Sequence, residues 1–233
     1  MKNTNDPIVK EISEKWFIGK TAVYIDYANL VGAQGKTGWR IDISKLKHFF
    51  SLFPQVETMR FYYGLLEGEK SSEQFINQVK KFGFETIIKP VKLIKKSIDV
   101  SGTDVGSPAI LKNFIRNTLI RILDVETIEF LNSKLLCLNK SGKLFLLDRK
   151  CNFDVEISVD MALDFDKYDT FVLLSGDSDF ADLIKRFRVK GKRILVFAHR
   201  GTIASEIFGE GAKVFDLSKL RNHLCWNKDK LKP

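Results

Sequence analysis

The chain has 233 residues, is 44% hydrophobic and carries a formal net charge of +9 at pH 7, so it can bury a sizeable core and favours a polyanionic partner. Its three cysteines (Cys137, Cys151, Cys225) are odd in number, widely spaced and include no C-x-x-C, and its three histidines (His48, His199, His223) have no paired ligand spacing, which argues against a disulfide framework or a zinc site and for a reducing compartment. Residues 1–20 lack the apolar core of a signal peptide and no apolar run approaches the ~20 residues that cross a bilayer, so we expect a soluble cytoplasmic protein with no membrane role.

Residues 1–20 read as a lead-in to a first strand at 21–26, followed by a glycine-rich loop (Gly32, Gly35, Gly38). A helix opens at Asp42, a plausible cap, with Ile43, Leu46 and Phe50 at helical spacing. A second strand spans 56–63 and ends at Gly64. A helix over 72–82 sets Phe75, Ile76, Val79 and Phe82 on one side, with Gly83 as its C-cap, and a third strand spans 84–91. The alternation then loosens. Residues 97–149 read as an insertion: an apolar helix-like run at 110–122, then a hairpin of 134–138 and 143–147 about a turn at 139–142, with a helical reading of that segment left open. The pattern resumes with a helix at 154–164, a strand at 170–174, a helix at 178–190 and a strand at 193–198. A short helix at 203–208, a strand at 213–215 and a basic tail at 218–233 with lysines at 228–232 complete it. Such βα units predict an α/β fold with a parallel sheet and crossover helices, here one domain over 21–217.

Two of these strands stop on acid. Ala22-Val23-Tyr24-Ile25 ends at Asp26, with Asn29 three residues on, and the strand at 170–174 runs into Ser175-Gly176-Asp177-Ser178-Asp179. Ligands of open α/β sheets bind outside the carboxyl ends of strands, so both Asp groups point to one acidic pocket there. Asp154 and Asp160, on the preceding helix, can join it. Packed carboxylates repel, and a divalent cation relieves the repulsion; Mg²⁺ takes one or two direct carboxylates and keeps waters. Plainer readings stand beside each residue. Asp177 and Asp154 can be helix caps, Asp179 can complement a helix dipole, and Asn29 can be a turn residue. Glu156, Asp160 and Asp164 form an i, i+4, i+8 stripe that usually faces solvent, and we assign Asp164 to that face. Asp26 is hardest to explain away, because Asp is disfavoured in strands.

Three segments closely resemble the NYN domain family of PIN-like nucleases: Val23-Tyr24-Ile25-Asp26-Tyr27-Ala28-Asn29, Asp154-Val155-Glu156-Ile157-Ser158-Val159-Asp160, and Leu174-Ser175-Gly176-Asp177-Ser178-Asp179-Phe180. Lys89-Pro90 and Gly191-Lys192 fit the same pattern. The resemblance implies a three-layer α/β/α PIN-like fold with a mostly parallel sheet, here with an inserted helix/hairpin segment. It implies Asp26 and Asp177 as central metal ligands, with Asp154, Asp160 and Asp179 completing the cluster directly or through water. Asn29 would orient a ligand water or a substrate phosphate. The implied activity is RNA cleavage dependent on Mg²⁺ or Mn²⁺. The chain departs from the family in the length of 97–149 and in Cys151, where glycine is frequent.

An acidic pocket needs cations nearby to hold phosphate. Lys89, Lys92, Lys95, Lys96 and Lys150 are the first candidates, with Lys185, Arg186 and Arg188 behind them. Tyr27, Trp39, Tyr62 and Tyr63 could stack unpaired bases, although packing is each one's commoner role. The rival readings are a non-catalytic RNA-binding or scaffold module and a haloacid-dehalogenase-type phosphohydrolase. The latter wants an acid two residues after Asp26, where this chain has Ala28. Assembly into a homo-oligomer through the insertion is a further expectation.

Overall fold

A computed structural model describes residues 6–97, 100, 102, 104–141 and 145–226. The expected lysine-rich tail and part of the 139–142 turn lie outside the described residues. Helix α1 (Pro7–Lys15), capped by Asp6, precedes β1 (Thr21–Asp26). Helix α2 (Tyr27–Thr37) follows β1 without a break. The glycine-rich loop expected there is helix: the Asp26 carboxylate caps it, Gly32 and Gly35 lie inside it, and only Gly38 (φ +71°) ends it in the left-handed conformation that glycine tolerates. Then come α3 (Ile43–Ser51), capped by Asp42, β2 (Val56–Leu65), α4 (Lys70–Lys81) and β3 (Glu85–Pro90).

Next in sequence are β4 (Lys92–Ser97), one-turn α5 (Asn117–Ile120), α6 (Val125–Lys140) and β5 (Phe145–Lys150). The chain then continues through α7 (Asp154–Leu163), β6 (Thr170–Leu174), α8 (Ala181–Val189), β7 (Arg193–Ala198), α9 (Ser205–Gly209), β8 (Lys213–Asp216) and α10 (Arg221–Leu224). The chain forms two compact units, 1–91 with 151–233, and 92–150.

In the larger unit six parallel strands lie in the order β3-β2-β1-β6-β7-β8. The period-2 alternation of β1 sends Val23 and Ile25 into one core and Ala22 and Tyr24 into the other. On the first face Val9, Ile12, Leu30, Leu46, Phe50, Ile76, Val79 and Leu224 bring in α1, α2, α3, α4 and α10. On the second, Ile157, Met161, Ile184, Phe187 and Ile207 bring in α7, α8 and α9. This is the α/β/α sandwich, and every residue of β1 and β6 is buried, as central parallel strands covered on both faces must be.

In the smaller unit β4 and β5 pair antiparallel, from Lys92 opposite Lys150 to Ser97 opposite Phe145. The hairpin expectation is corrected. Residues 134–138 belong to α6, which Asp124 caps by accepting the Thr127 N–H at 2.7 Å. Buried Asn132 in α6 donates to the Ser107 carbonyl at 2.8 Å. A leucine-rich run suits helix or strand equally by periodicity, and the cap and this buried anchor decide for helix. The helix expected at 110–122 is also corrected: extended Arg116 (ψ 139°) separates a 3-10 turn at Leu111–Asn113 from α5. No helix among the described residues is long and apolar enough to cross a membrane.

Candidate active site

β1 and β6 are neighbours in register, Ile25 opposite Leu174. From β1 the sheet continues through β2 to one edge, and from β6 through β7 to the other. Their carboxyl ends therefore form the topological switch point, where such sheets hold ligands. Asp26 ends β1 and is only 7% exposed. Its Oδ1 accepts the Asn29 N–H at 3.2 Å, and its Oδ2 accepts the hydroxyl of fully buried Ser175 at 3.1 Å. Burial raises the Asp26 pKa above the ordinary carboxylate value and the Asp177 charge adds to this, while the Asn29 and Ser175 hydrogen bonds pull the other way.

The turn after β6 is fixed from both sides. The Gly176 N–H donates to Asn29 Oδ1 at 3.1 Å, and its carbonyl accepts the Ala204 N–H at 3.0 Å. A Cβ at Gly176 would lie 2.7 Å from the backbone oxygen of Thr202, so only glycine fits. Asp177 Oδ1 in turn accepts the Asp179 N–H at 3.2 Å. Asp154 opens α7, its N–H held by Asn152 Oδ1 at 2.7 Å. Its Oδ2 is buried with no hydrogen-bond partner. Burial pushes its pKa up to about 6; an Asn152 hydrogen bond opposes the rise, and the charges of Asp177, Asp26 and Asp179 reinforce it. A helix N-terminus stabilises a carboxylate by about 0.3–1 kcal/mol. Here burial and three like charges outweigh it.

Four predicted site residues from three stretches of chain thus act on one another's charge at the switch point, and Asn29 ties two of those stretches together. They do not form a closed ligand set: among the described residues no group of three or more His, Cys, Asp or Glu is arranged to hold a metal ion. The donor chemistry nevertheless suits a hard cation. All donors are carboxylate oxygens, one buried oxygen lacks a partner, and Mg²⁺ is commonly held by one or two carboxylates with waters filling its octahedron.

The NYN domain model matches residues 20–102 and 111–217. The chain belongs to the NYN domain family. The family is one of PIN-like nucleases, usually acting with divalent metals. Its match covers most of the larger unit and much of the smaller one. This NYN chain is 24% identical over 206 residues, 88% of its own length and 87% of the relative's, to the low amplitude and bright protein LabA of Synechococcus elongatus. It also shares its fold with a Vibrio parahaemolyticus protein of unknown function, known from a crystal structure, at a TM-score of 0.54 and 16% identity, over 87% of this chain and 94% of that one.

Other predicted residues of the NYN chain stand elsewhere. Asp160, six residues along α7 from Asp154, accepts the Tyr62 hydroxyl at 2.7 Å. Lys89 on β3 pairs with Glu156 at 2.6 Å and lies over the Phe153 ring. Lys92, Lys95, Lys96 and Lys150 lie in the smaller unit, where Lys96 pairs with Asp148 at 2.5 Å. Asp164 is corrected: it is 1% exposed, not solvated. It accepts from the Tyr24 hydroxyl at 2.8 Å and from Arg60, and pairs with Lys167 at 3.0 Å. Burial alone would raise its pKa, but these partners hold it below the usual carboxylate range. Sequence reasoning also missed Ser175. An apolar strand that continues into a serine beside acid was the available signal.

Proposed function

We propose that this chain is a metal-dependent ribonuclease that hydrolyses RNA phosphodiester bonds at the Asp26–Asp154–Asp177–Asp179 cluster. The observation that carries the reading is Asp154: a buried, unpartnered carboxylate oxygen whose pKa is raised to about 6 among three other acids at the switch point. A fold tolerates that arrangement where a ligand relieves it. Asp26 and Asp177 would hold Mg²⁺ or Mn²⁺, with Asp154 and Asp179 completing the site directly or through water. When bound, such a cation supplies a water of lowered pKa and a Lewis acid for the phosphodiester.

The chain's own groups do the positioning. Ser175 and the Asn29 N–H fix both oxygens of Asp26. The Asn29 side chain fixes the Gly176 turn and with it Asp177. Asp160, proposed from sequence as a further ligand, accepts the Tyr62 hydroxyl and steadies that ring. Lys89, paired with Glu156 and lying over the Phe153 ring beside Asp154, would meet a substrate phosphate. No Ser-His-Asp or Cys-His set is required.

The test is incubation of single-stranded RNA with the protein and Mg²⁺ or Mn²⁺, beside Asp26→Asn and Asp177→Asn. We expect cleavage by the wild type, none with EDTA, and a loss of at least about 100-fold in either variant. Cleavage that survives both substitutions overturns the metal-cluster mechanism. Binding without cleavage in the wild type would mean a scaffold rather than an enzyme.

A further inference from the structure

An open cleft of about 570 Å³ lies along α2, lined by Tyr27, Val31, Gln34, Gly38, Trp39 and Arg40. Its volume is within the roughly 300–1,000 Å³ of sites that hold small organic ligands. Its first lining residue, Tyr27, opens α2, the helix whose N-cap is Asp26. Of the four aromatic residues that could stack bases, Tyr62 is buried with its hydroxyl on Asp160, and Tyr63 turns its hydroxyl to Ser72 at 2.9 Å. Tyr27 and Trp39 line this cleft.

The cleft is built firmly. Tyr27 packs against Phe61, Tyr63 and Phe75, with ring centroids 5.1, 5.6 and 4.9 Å away. Trp39 is 8% exposed and belongs to the core of that face. Gly38 ends α2 in a left-handed turn that leads into Trp39, and the Arg40 carbonyl accepts the Trp226 N–H at 2.9 Å. The Arg40 charge reaches Tyr27, lowering a hydroxyl pKa that burial pushes up to about 12. Rigid aromatic surface, a guanidinium and an amide at the rim are the groups that recognise a nucleobase by stacking and hydrogen bonding. Among the described residues no acid lines the cleft.

We infer that this cleft is a nucleobase subsite, receiving an unpaired base next to the phosphate handled by the acidic cluster. The inference rests on the nuclease reading and sharpens its substrate class: RNA single-stranded at the cleavage point, gripped by a base as well as by phosphates. Duplex RNA, whose bases are stacked inward, cannot fill it.

Binding is measured in EDTA by fluorescence anisotropy, comparing a labelled short single-stranded oligonucleotide with an abasic chain of the same length. A base subsite weakens the abasic chain by roughly tenfold, and Tyr27→Leu brings the intact chain down to the abasic level. Photo-crosslinking of an oligonucleotide carrying 4-thiouridine, with the site mapped by mass spectrometry, gives a second readout on the unmodified protein and places the adducts within 27–40. Equal affinity for both chains, or adducts only outside 27–40, overturns the subsite. Those outcomes leave the nuclease reading intact, which the Asp177→Asn cleavage assay judges separately.

Discussion

Replacing Asp154 with Asn should stabilise the metal-free protein. In the unfolded chain this carboxyl ionises near 3.8, and in the fold near 6. For an acid whose folded pKa is raised, the fold is at no disadvantage below the unfolded value and loses stability as pH climbs through the folded one. The gap of about two pH units corresponds to about 3 kcal/mol at full strength. Because the side chain keeps partial access to solvent, screening reduces this to about 1–2 kcal/mol. Asn carries no charge for burial and the neighbouring acids to disfavour. For a chain of this size that is a rise in Tm of about 2–8 °C. The assay is thermal unfolding by circular dichroism in EDTA at pH 4, 6 and 8. The gain should be largest at pH 8 and fall to a small fraction of that at pH 4. Adding Mg²⁺ should then raise the wild-type Tm and leave the variant unmoved, bringing the two together. A variant less stable than wild type at pH 8 in EDTA, or a gain independent of pH, would refute the reasoning.

Three further substitutions probe the frame around the site. Asp164→Asn strips a buried pair from Arg60, and should cost about 3–5 kcal/mol in urea unfolding; a loss under about 1 kcal/mol would mean the network is dispensable. Gly176→Ala drives a methyl against the Thr202 carbonyl, and should cost about 1–3 kcal/mol and depress cleavage together, read by unfolding and by product formation. Asn29→Ala removes the link from α2 to the Gly176 turn; stability should fall by only about 1 kcal/mol while cleavage drops by an order of magnitude or more, and equal losses in both would make Asn29 merely structural.

The βα alternation made the sandwich legible because its rules are local. Apolar runs such as 22–25 and 171–174 can only be central strands, and Asp42 and Gly83 mark helix ends by their own chemistry. Where the reading failed, local rules were ambiguous or overridden. Gly32 and Gly35 disfavour helix by about 1 kcal/mol each, yet the Asp26 cap and buried Leu30 hold α2 together. Asp164 looked solvated because its spacing matches an exposed stripe. Its burial depends on Arg60 and Tyr24, which lie about a hundred residues or more away, and no periodicity reveals such partners. The acidic cluster was legible for the opposite reason: its members sit at strand ends and a helix start, positions that the sheet topology brings to one edge.

The same topology explains why acids accumulate at that edge of a chain with net charge +9. Asp26 is strapped at both oxygens, and Asp177 and Asp179 share a turn tied down by Asn29 and Gly176. Those contacts hold the carboxylates where mutual repulsion would drive them apart. Of the four, Asp154 has the buried oxygen with no hydrogen-bond partner and the most clearly raised pKa. The cost of the cluster is therefore concentrated in one side chain, brought in by a helix rather than by the sheet. If a cation neutralises the site, Asp154 is the residue whose protonation it must displace. Metal-induced stabilisation should then weaken as pH falls through about 6.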